Sequence, residues 1–181
     1  MQRLLSVLAV GLFAASSALV YAQKTIDQKT GSGGSPHVRT EWTIDGASLS
    51  IEYGQPSLKG RTDATLMPNG QPWRVGADEA TVLKTDKPLK FGTLTLEPGT
   101  YTLNAEPGEK QWQLIVGKLS KPGQWGVPYN ASLEIGRAPM SVTAAKSPVE
   151  QLKISIDDTP KGGTLKVEWG SKVASIPFTV G

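Results

Sequence analysis

Apolar and polar side chains alternate at every second position through most of the chain after residue 36. Leu49, Ile51 and Tyr53, for example, alternate with Ser50 and Glu52. This period puts one face of an extended segment against a core and the other against water, as in a half-buried β-strand. The same alternation recurs at residues 41–44, 100–105, 112–116, 152–157, 165–169 and 174–180.

Turn-forming residues lie between these segments. Asp45-Gly46 predicts a two-residue hairpin, because both central positions of that turn need a positive φ. Pro98-Gly99 predicts a type II turn. Strands at this spacing indicate an all-β fold, and we predict an antiparallel β-sandwich of jelly-roll-like or immunoglobulin-like type. We expect little helix apart from a signal peptide, with one short turn near residues 147–152.

The first residues have the features of an export signal. Arg3 precedes an apolar run over residues 4–13, and the segment ends on small residues before Ala22. We predict a signal peptide at residues 1–22, cleaved after Ala22, which implies a periplasmic or secreted protein with no membrane contact after cleavage. The alternative is an uncleaved anchor, but a spanning helix needs about 20 apolar residues, and Ser16-Ser17 interrupts the run.

The remainder of the chain has the size of one domain. Residues 23–35 are polar and glycine-rich, and we expect a flexible leader there. Residues 36–181 then form a single β-sandwich domain. The sequence has no cysteine, which argues against lipid attachment after the signal, and a domain of this length needs no disulfide.

The composition argues against several classes of function. A net charge of +3 from 19 basic and 16 acidic residues is too small a bias for nucleic-acid binding. The absence of cysteine and the single histidine, His37, argue against zinc and copper sites. A Ser-His-Asp triad would have to use His37, for which a structural or solvated role is the simpler reading. We therefore expect that the protein binds no cofactor and no metal, and that it is not an enzyme. The sequence leaves the oligomeric state open.

Some segments break the strand pattern and carry unusual side chains. They lie at residues 53–61, 73–81 and 123–126. Loops that hold tryptophan and arginine on a rigid β-scaffold are common binding sites. The candidate ligand-binding residues are Tyr53, Lys59, Arg61, Trp73, Arg74, Glu79 and Trp125.

One interpretation of these residues is an anion site. Lys59, Arg61 and Arg74 could hold a carboxylate or a phosphate, since guanidinium groups match both geometries. Trp73 and Trp125 could stack on a sugar or a flat ligand.

Another interpretation is acid–base catalysis, with Glu79 paired with Asp78 or Glu52. A purely structural role is the competing hypothesis. In that case Arg74 pairs with Glu79 or Asp78, and Arg61 with Asp63, locking the loops in one conformation.

These segments resemble the bacterial domain of unknown function (DUF) 2911 family. The similarity lies in IEYGQPSLKGR, PNGQPWRVGADEATVLKT, LEPGTYTLNAEPGEKQWQLIV and GQWG, and it spans about residues 36–180. The resemblance implies a secreted or periplasmic β-rich domain and no established reaction. Its motif positions here are Tyr53, Pro56, Lys59, Gly60, Arg61, Trp73, Arg74, Gly76, Glu79, Thr81, Tyr101 and Trp125.

Three functional hypotheses follow. The first is a non-catalytic binding or structural module of the cell envelope, whose partner is an unknown small molecule or an envelope glycan. The second is an anion- or carboxylate-binding protein that uses Lys59, Arg61 and Arg74. The third is a carboxylate-dependent glycan hydrolase.

Overall fold

The structure, a computed structural model, describes residues 23–181. Ten strands form one antiparallel sheet that is not closed, in the order β1-β2-β3-β4-β7-β8-β9-β10-β5-β6. The strands are β1 (Lys24–Thr30), β2 (Pro36–Ile44), β3 (Ala47–Gly54), β4 (Thr81–Thr85), β5 (Leu89–Phe91), β6 (Leu94–Leu96), β7 (Gly99–Glu106), β8 (Gln111–Lys118), β9 (Glu134–Thr159) and β10 (Gly162–Val180).

Helix is scarce in the described part of the chain. One short helix, α1, spans Asp63–Leu66, and a single 3-10 turn spans Ala131–Leu133. No helix within residues 23–181 is long and apolar enough to cross a membrane. The predicted signal peptide lies outside the described residues. The prediction of an all-β, antiparallel, sandwich-like fold is confirmed.

The two longest strands form a ribbon that completes the core. The first part of β9 pairs with β8, and its last part pairs with β10. Apolar side chains from the last part of β9, including Ile154, pack in the same core as those of β3. Tyr53 Oη on β3 accepts a hydrogen bond from Ile154 N at 2.9 Å. The ribbon therefore packs back over the sheet, which gives the sandwich-like arrangement.

The predicted hairpin between β2 and β3 is present. Ile44 pairs with Ala47, and Asp45 and Gly46 have φ of 47° and 72°. These values match the turn that Asp-Gly favours.

The segment expected to be a flexible leader, residues 23–35, instead contains β1. This strand pairs antiparallel with β2, from Lys24 opposite Glu41 to Thr30 opposite Pro36. Nearly all its side chains are exposed, because an edge strand outside the core has no dry face. Backbone hydrogen bonds order such a strand, so the period-two signal is missing from its sequence.

The helical turn expected near residues 147–152 is also not formed, because this segment lies within β9. Leu152 N donates to Pro56 O at 3.0 Å, and Leu58 N donates to Glu150 O at 2.9 Å. These bonds fix β9 in extended form against the connection that follows β3. That connection, residues 55–80, runs to β4 and contains α1.

Candidate functional site

A cleft of about 300 Å³ opens between the β3–β4 connection and β10. Trp73 is held there by β7, because its backbone exchanges hydrogen bonds of 2.7 and 2.8 Å with Ala105. Trp169 reaches the cleft from β10. The lining residues are Pro56, Arg61, Leu66, Pro72, Trp73, Arg74, Gly76, Val127 and Trp169.

Two stacked indole rings lie at one side of this cleft, where Trp73 is half-buried and Trp169 behind it is almost fully buried. The rings of Trp73 and Trp169 are nearly parallel, 10° apart in plane, with centroids separated by 5.6 Å. The buried Trp112 meets Trp73 edge-on at 6.0 Å. Trp169 Nε1 donates to Glu150 O at 3.1 Å. Packing and this hydrogen bond fix the aromatic wall in place.

Arg74 is positioned by backbone carbonyls. Its Nε donates to Gly76 O at 3.1 Å, and its Nη1 is 3.5 Å from Asp78 O. Gly126 packs against the arginine side chain, and a Cβ at that position would stand 2.7 Å from Arg74 Cδ. Gly126, the second glycine of the GQWG segment, therefore leaves room for the side chain of Arg74.

Arg61 is held in the same manner. Its Nε donates to Leu58 O at 2.9 Å and its Nη2 donates to Ser57 O at 2.8 Å. The proposed partner Asp63 instead accepts hydrogen bonds from the backbone N, at 3.1 Å, and the hydroxyl of Ser171.

The cleft therefore carries positive charge without a compensating carboxylate. Among residues 23–181, neither Arg61 nor Arg74 has an acidic side chain within ion-pair distance. The ion pairs weighed from the sequence, Arg74 with Glu79 or Asp78 and Arg61 with Asp63, are not formed. The described cleft lining contains no aspartate or glutamate.

The backbone that follows Arg74 is held in an uncommon conformation. Val75 and Asp78 have positive φ, 50° and 61°. A β-branched residue is rarely found there, at a cost on the order of 1–3 kcal/mol. Val75 is buried, and Thr81 Oγ1 donates to Val75 O at 2.8 Å. The surrounding contacts thus impose the loop that aims Arg74.

A second polar cluster lies behind this loop and contains His37. His37 Nε2 is 3.2 Å from Asp78 Oδ2, and His37 Nδ1 is 3.5 Å from Glu79 Oε2. Only 3% of the His37 side chain is exposed. Ser32 Oγ donates to Asp78 Oδ1 at 3.2 Å, and Lys29 Nζ donates to Glu79 Oε1. The cluster ties β1 and β2 to residues 78–79.

Glycines allow this cluster to pack closely. A Cβ at Gly31 would stand 2.0 Å from Asp78 Oδ2, and a Cβ at Gly54 would stand 2.8 Å from His37 Nε2. Side chains at either position would push the histidine and the carboxylate apart.

Both carboxylates of the cluster favour their ionised form. Burial alone would raise the pKa of Asp78, but hydrogen bonds from His37, Ser32 and the backbone N–H of Gly33 outweigh it and lower that pKa. The hydrogen bond from Lys29 lowers the pKa of Glu79, against a smaller effect of burial. Their interactions with β1 and β2 are therefore those of ionised groups at neutral pH.

The structure brings together only some of the sequence-predicted site residues. Arg61, Trp73 and Arg74 share the cleft. Glu52, Tyr53 and Glu79 line a separate pocket of about 80 Å³ next to His37. Tyr53 is buried, and its hydroxyl belongs to the core contact with β9.

The remaining predicted residues, Lys59 and Trp125, line neither cavity. Lys59 is exposed, and its backbone N donates to Glu150 Oε1 at 2.9 Å. Trp125 is 47% exposed, and its backbone pairs with Glu79. The hairpin-like contact of residues 124–126 with 78–80 braces the Arg74 loop.

Sequence reasoning missed Trp169, His37 and Lys29 as neighbours of these sites. Trp169 has the sequence signature of a core strand position, and only the fold places it against Trp73. His37 is the second residue of β2, and nothing in the local sequence indicates that Asp78 and Glu79 lie against it.

Two arginines that have no carboxylate partner in the described chain line one cleft on a sandwich-like β-scaffold, which defines a β-rich domain with a candidate anion cleft. The chain belongs to the family described as "Protein of unknown function (DUF2911)", which it matches over residues 35–178. The family resemblance noted from the sequence is thereby confirmed. No curated protein and no solved structure matches the chain.

Proposed function

We propose that this protein is a non-catalytic binding module that holds a small organic anion in the cleft lined by Arg61 and Arg74. The observation that carries the proposal is the pair of guanidinium groups, each fixed by neutral carbonyls and without a carboxylate partner in the described chain. Lys59, which we grouped with them from the sequence, is not part of the cleft lining.

Electrostatics favours an anion at this position. Two like charges that line one cleft repel each other, although Arg61 is exposed and water screens part of this repulsion. An anion between them relieves the repulsion and forms charge-assisted hydrogen bonds. Because the backbone already fixes both side chains, little conformational entropy is lost on binding.

The cleft also has the shape of a ligand site. Its volume of about 300 Å³ is at the low end of the range for small-molecule pockets, roughly 300–1,000 Å³. It lies on loops braced by strands, as binding sites often do.

Glycan hydrolysis has less support. Such a reaction needs a carboxylic acid and a second carboxylate around a sugar ring. Asp78 and Glu79 are instead engaged by His37 and Lys29, and the adjacent pocket of about 80 Å³ is too small for a sugar ring. The cluster is better suited to bracing the Arg74 loop.

We also propose that the protein acts in the periplasm or outside the cell, as a module of the cell envelope. The support is the sequence of residues 1–22, which has the charge and apolar pattern of a cleaved signal. Fractionation of expressing cells and N-terminal sequencing test this part. A mature chain that begins at Gln23 is expected, and a chain in the cytoplasm that retains Met1 would contradict it.

Thermal denaturation in the presence of anions tests the binding function. In protein purified from cells that express the full chain, acetate at constant ionic strength is expected to raise Tm, since a ligand that binds the folded state stabilises it. Arg74→Met and Arg61→Met are expected to abolish the rise. The control Lys146→Met removes one exposed positive charge from β9, and its Tm is expected to rise with acetate as in the wild type. An equal rise of Tm in all variants would contradict the proposal.

A further inference from the structure

From the lining of the cleft we infer that its ligand is a carboxylate on an apolar body, an aryl or short alkyl carboxylate, rather than a sugar acid or a phosphate. The inference rests on the proposed anion site and specifies the ligand class of that site. The inference depends on the contrast between the two charged arginines and the apolar side chains in the rest of the cleft lining.

The lining residues other than the arginines offer no polar side-chain acceptor. Proline, leucine, valine and tryptophan side chains make up the walls, with one glycine, and no serine, threonine, asparagine, glutamine or acidic residue lines the described cleft. A sugar acid would bring several hydroxyl groups against these walls. Each hydroxyl that lost water without a new hydrogen bond would oppose binding.

An apolar ligand body gains from the same walls. Transfer of apolar surface from water into such a cleft is favourable, by roughly 25 cal/mol per Å². Val127, at the cleft, is 48% exposed, so part of its own apolar surface is also removed from water when a ligand covers it. The accessible part of Trp73, which the almost fully buried Trp169 holds in place by stacking, adds a rigid aromatic surface.

The donors that remain on the two arginines can hold a carboxylate. Arg61 uses Nε and Nη2 for Leu58 and Ser57 carbonyls, and Arg74 uses Nε and Nη1 for Gly76 and Asp78 carbonyls. The hydrogen atoms that remain on the two guanidiniums can satisfy two carboxylate oxygens. The same donors could hold a phosphate, so the preference for a carboxylate comes from the walls, because inorganic phosphate has no apolar surface to place against them and is strongly hydrated.

Calorimetric titration of the protein, purified from cells that express the full chain, tests the ligand class. The probes are benzoate, hexanoate, acetate, glucuronate and inorganic phosphate at equal ionic strength and pH 7. Benzoate and hexanoate are expected to bind at least tenfold more tightly than the other three. Glucuronate or phosphate binding as tightly as benzoate overturns the ligand class and leaves the anion site standing, whereas no binding of any probe overturns both.

A wall variant separates the apolar contact from the charge contact. Val127→Ser is expected to weaken benzoate several-fold and to leave acetate unchanged, because acetate has almost no apolar body. Arg74→Met is expected to weaken both. Equal weakening of acetate and benzoate by Val127→Ser, with the thermal unfolding of the variant unchanged, contradicts the apolar contact.

Discussion

Gly126 and Arg74 are in such close contact that residue 126 can carry no side chain without moving the arginine. A Cβ there would stand 2.7 Å from Arg74 Cδ and 3.2 Å from Asp78 O. The loop at residues 123–126 thus sets the position of a charged side chain that belongs to a different part of the sequence. The sequence marks residues 73–81 and 123–126 as separate candidate segments, and the contact between Gly126 and Arg74 brings them together in the fold.

Gly126→Ala is expected to displace Arg74 and to weaken acetate binding about tenfold, or roughly 1.4 kcal/mol. Overpacking is also expected to lower the free energy of unfolding by about 1–3 kcal/mol. Titration and urea denaturation measure the two effects. In the Arg74→Ala protein, Gly126→Ala is expected to lower the free energy of unfolding by less, because the contact with Arg74 Cδ is gone. If Gly126→Ala costs the same stability with and without Arg74, the new methyl group does not clash with the arginine.

His37→Ala is expected to lower the free energy of unfolding by about 3 kcal/mol, since it leaves two carboxylates without their buried partner. The imidazole contacts Asp78 and Glu79 at 3.2 and 3.5 Å. Urea denaturation at pH 7 measures the change. Lys153→Ala is the control, because Lys153 is exposed and its pair with Glu168 is long, 3.7 Å. Ion pairs at the surface contribute about 0–1 kcal/mol. Equal effects of the two variants would assign His37 no special role.

Acid is expected to weaken the same cluster. Asp78 and Glu79 have lowered pKa values in the folded protein, so they contribute stability that is fully present above their unfolded pKa values, about 4. This contribution is lost as the pH falls through their folded pKa values. Urea denaturation of wild type and Asp78→Asn is expected to differ most at pH 6–7 and to converge towards pH 3. A difference that stays constant over that range would contradict the role of ionised Asp78.

Strand β1 is expected to be protected from hydrogen exchange. Its backbone pairs with β2, and Lys29 donates to Glu79. Amides of Lys24–Thr30 bonded to β2 are therefore expected to exchange at least tenfold more slowly than the same amides in an unfolded peptide. Lys29→Ala, which removes the contact with Glu79, is expected to reduce this protection in β1 and to leave β7 unaffected. If the β1 amides of the wild type exchange without protection, β1 is not a stable strand and residues 23–35 form the flexible leader expected from their composition.

Periodicity predicted the strands that have one buried face. Leu49, Ile51 and Tyr53 are all buried on β3, because alternation records which face meets the core. This alternation is missing from β1, because both of its faces are exposed. It is also missing from residues 147–152, which are held in extended form by Pro56, Leu58 and Gly170, all remote in sequence.

The candidate site was predicted in part, for a related reason. Arginine and tryptophan in loops between strands predicted Arg61, Trp73 and Arg74 as site residues, and these three share the cleft. Trp169 was not distinguishable from other inward-facing strand residues, because its stacking on Trp73 depends on how the ribbon packs. The choice between ion pairs and backbone carbonyls as arginine partners likewise depends on loop geometry that local sequence does not encode.

The arginine side chains themselves offer the most direct measurement. The Nε–H groups of Arg61 and Arg74 donate to the Leu58 and Gly76 carbonyls, so slow exchange should make both visible in ¹⁵N–¹H spectra, with Arg61→Lys and Arg74→Lys assigning them. In an acetate titration at constant ionic strength, both signals are expected to shift along saturating curves with one Kd, while the Arg137 Nε–H, which is bonded to Glu134, stays in place. Stationary Arg61 and Arg74 signals up to a concentration of acetate that raises Tm would place the anion elsewhere and contradict the cleft as the binding site.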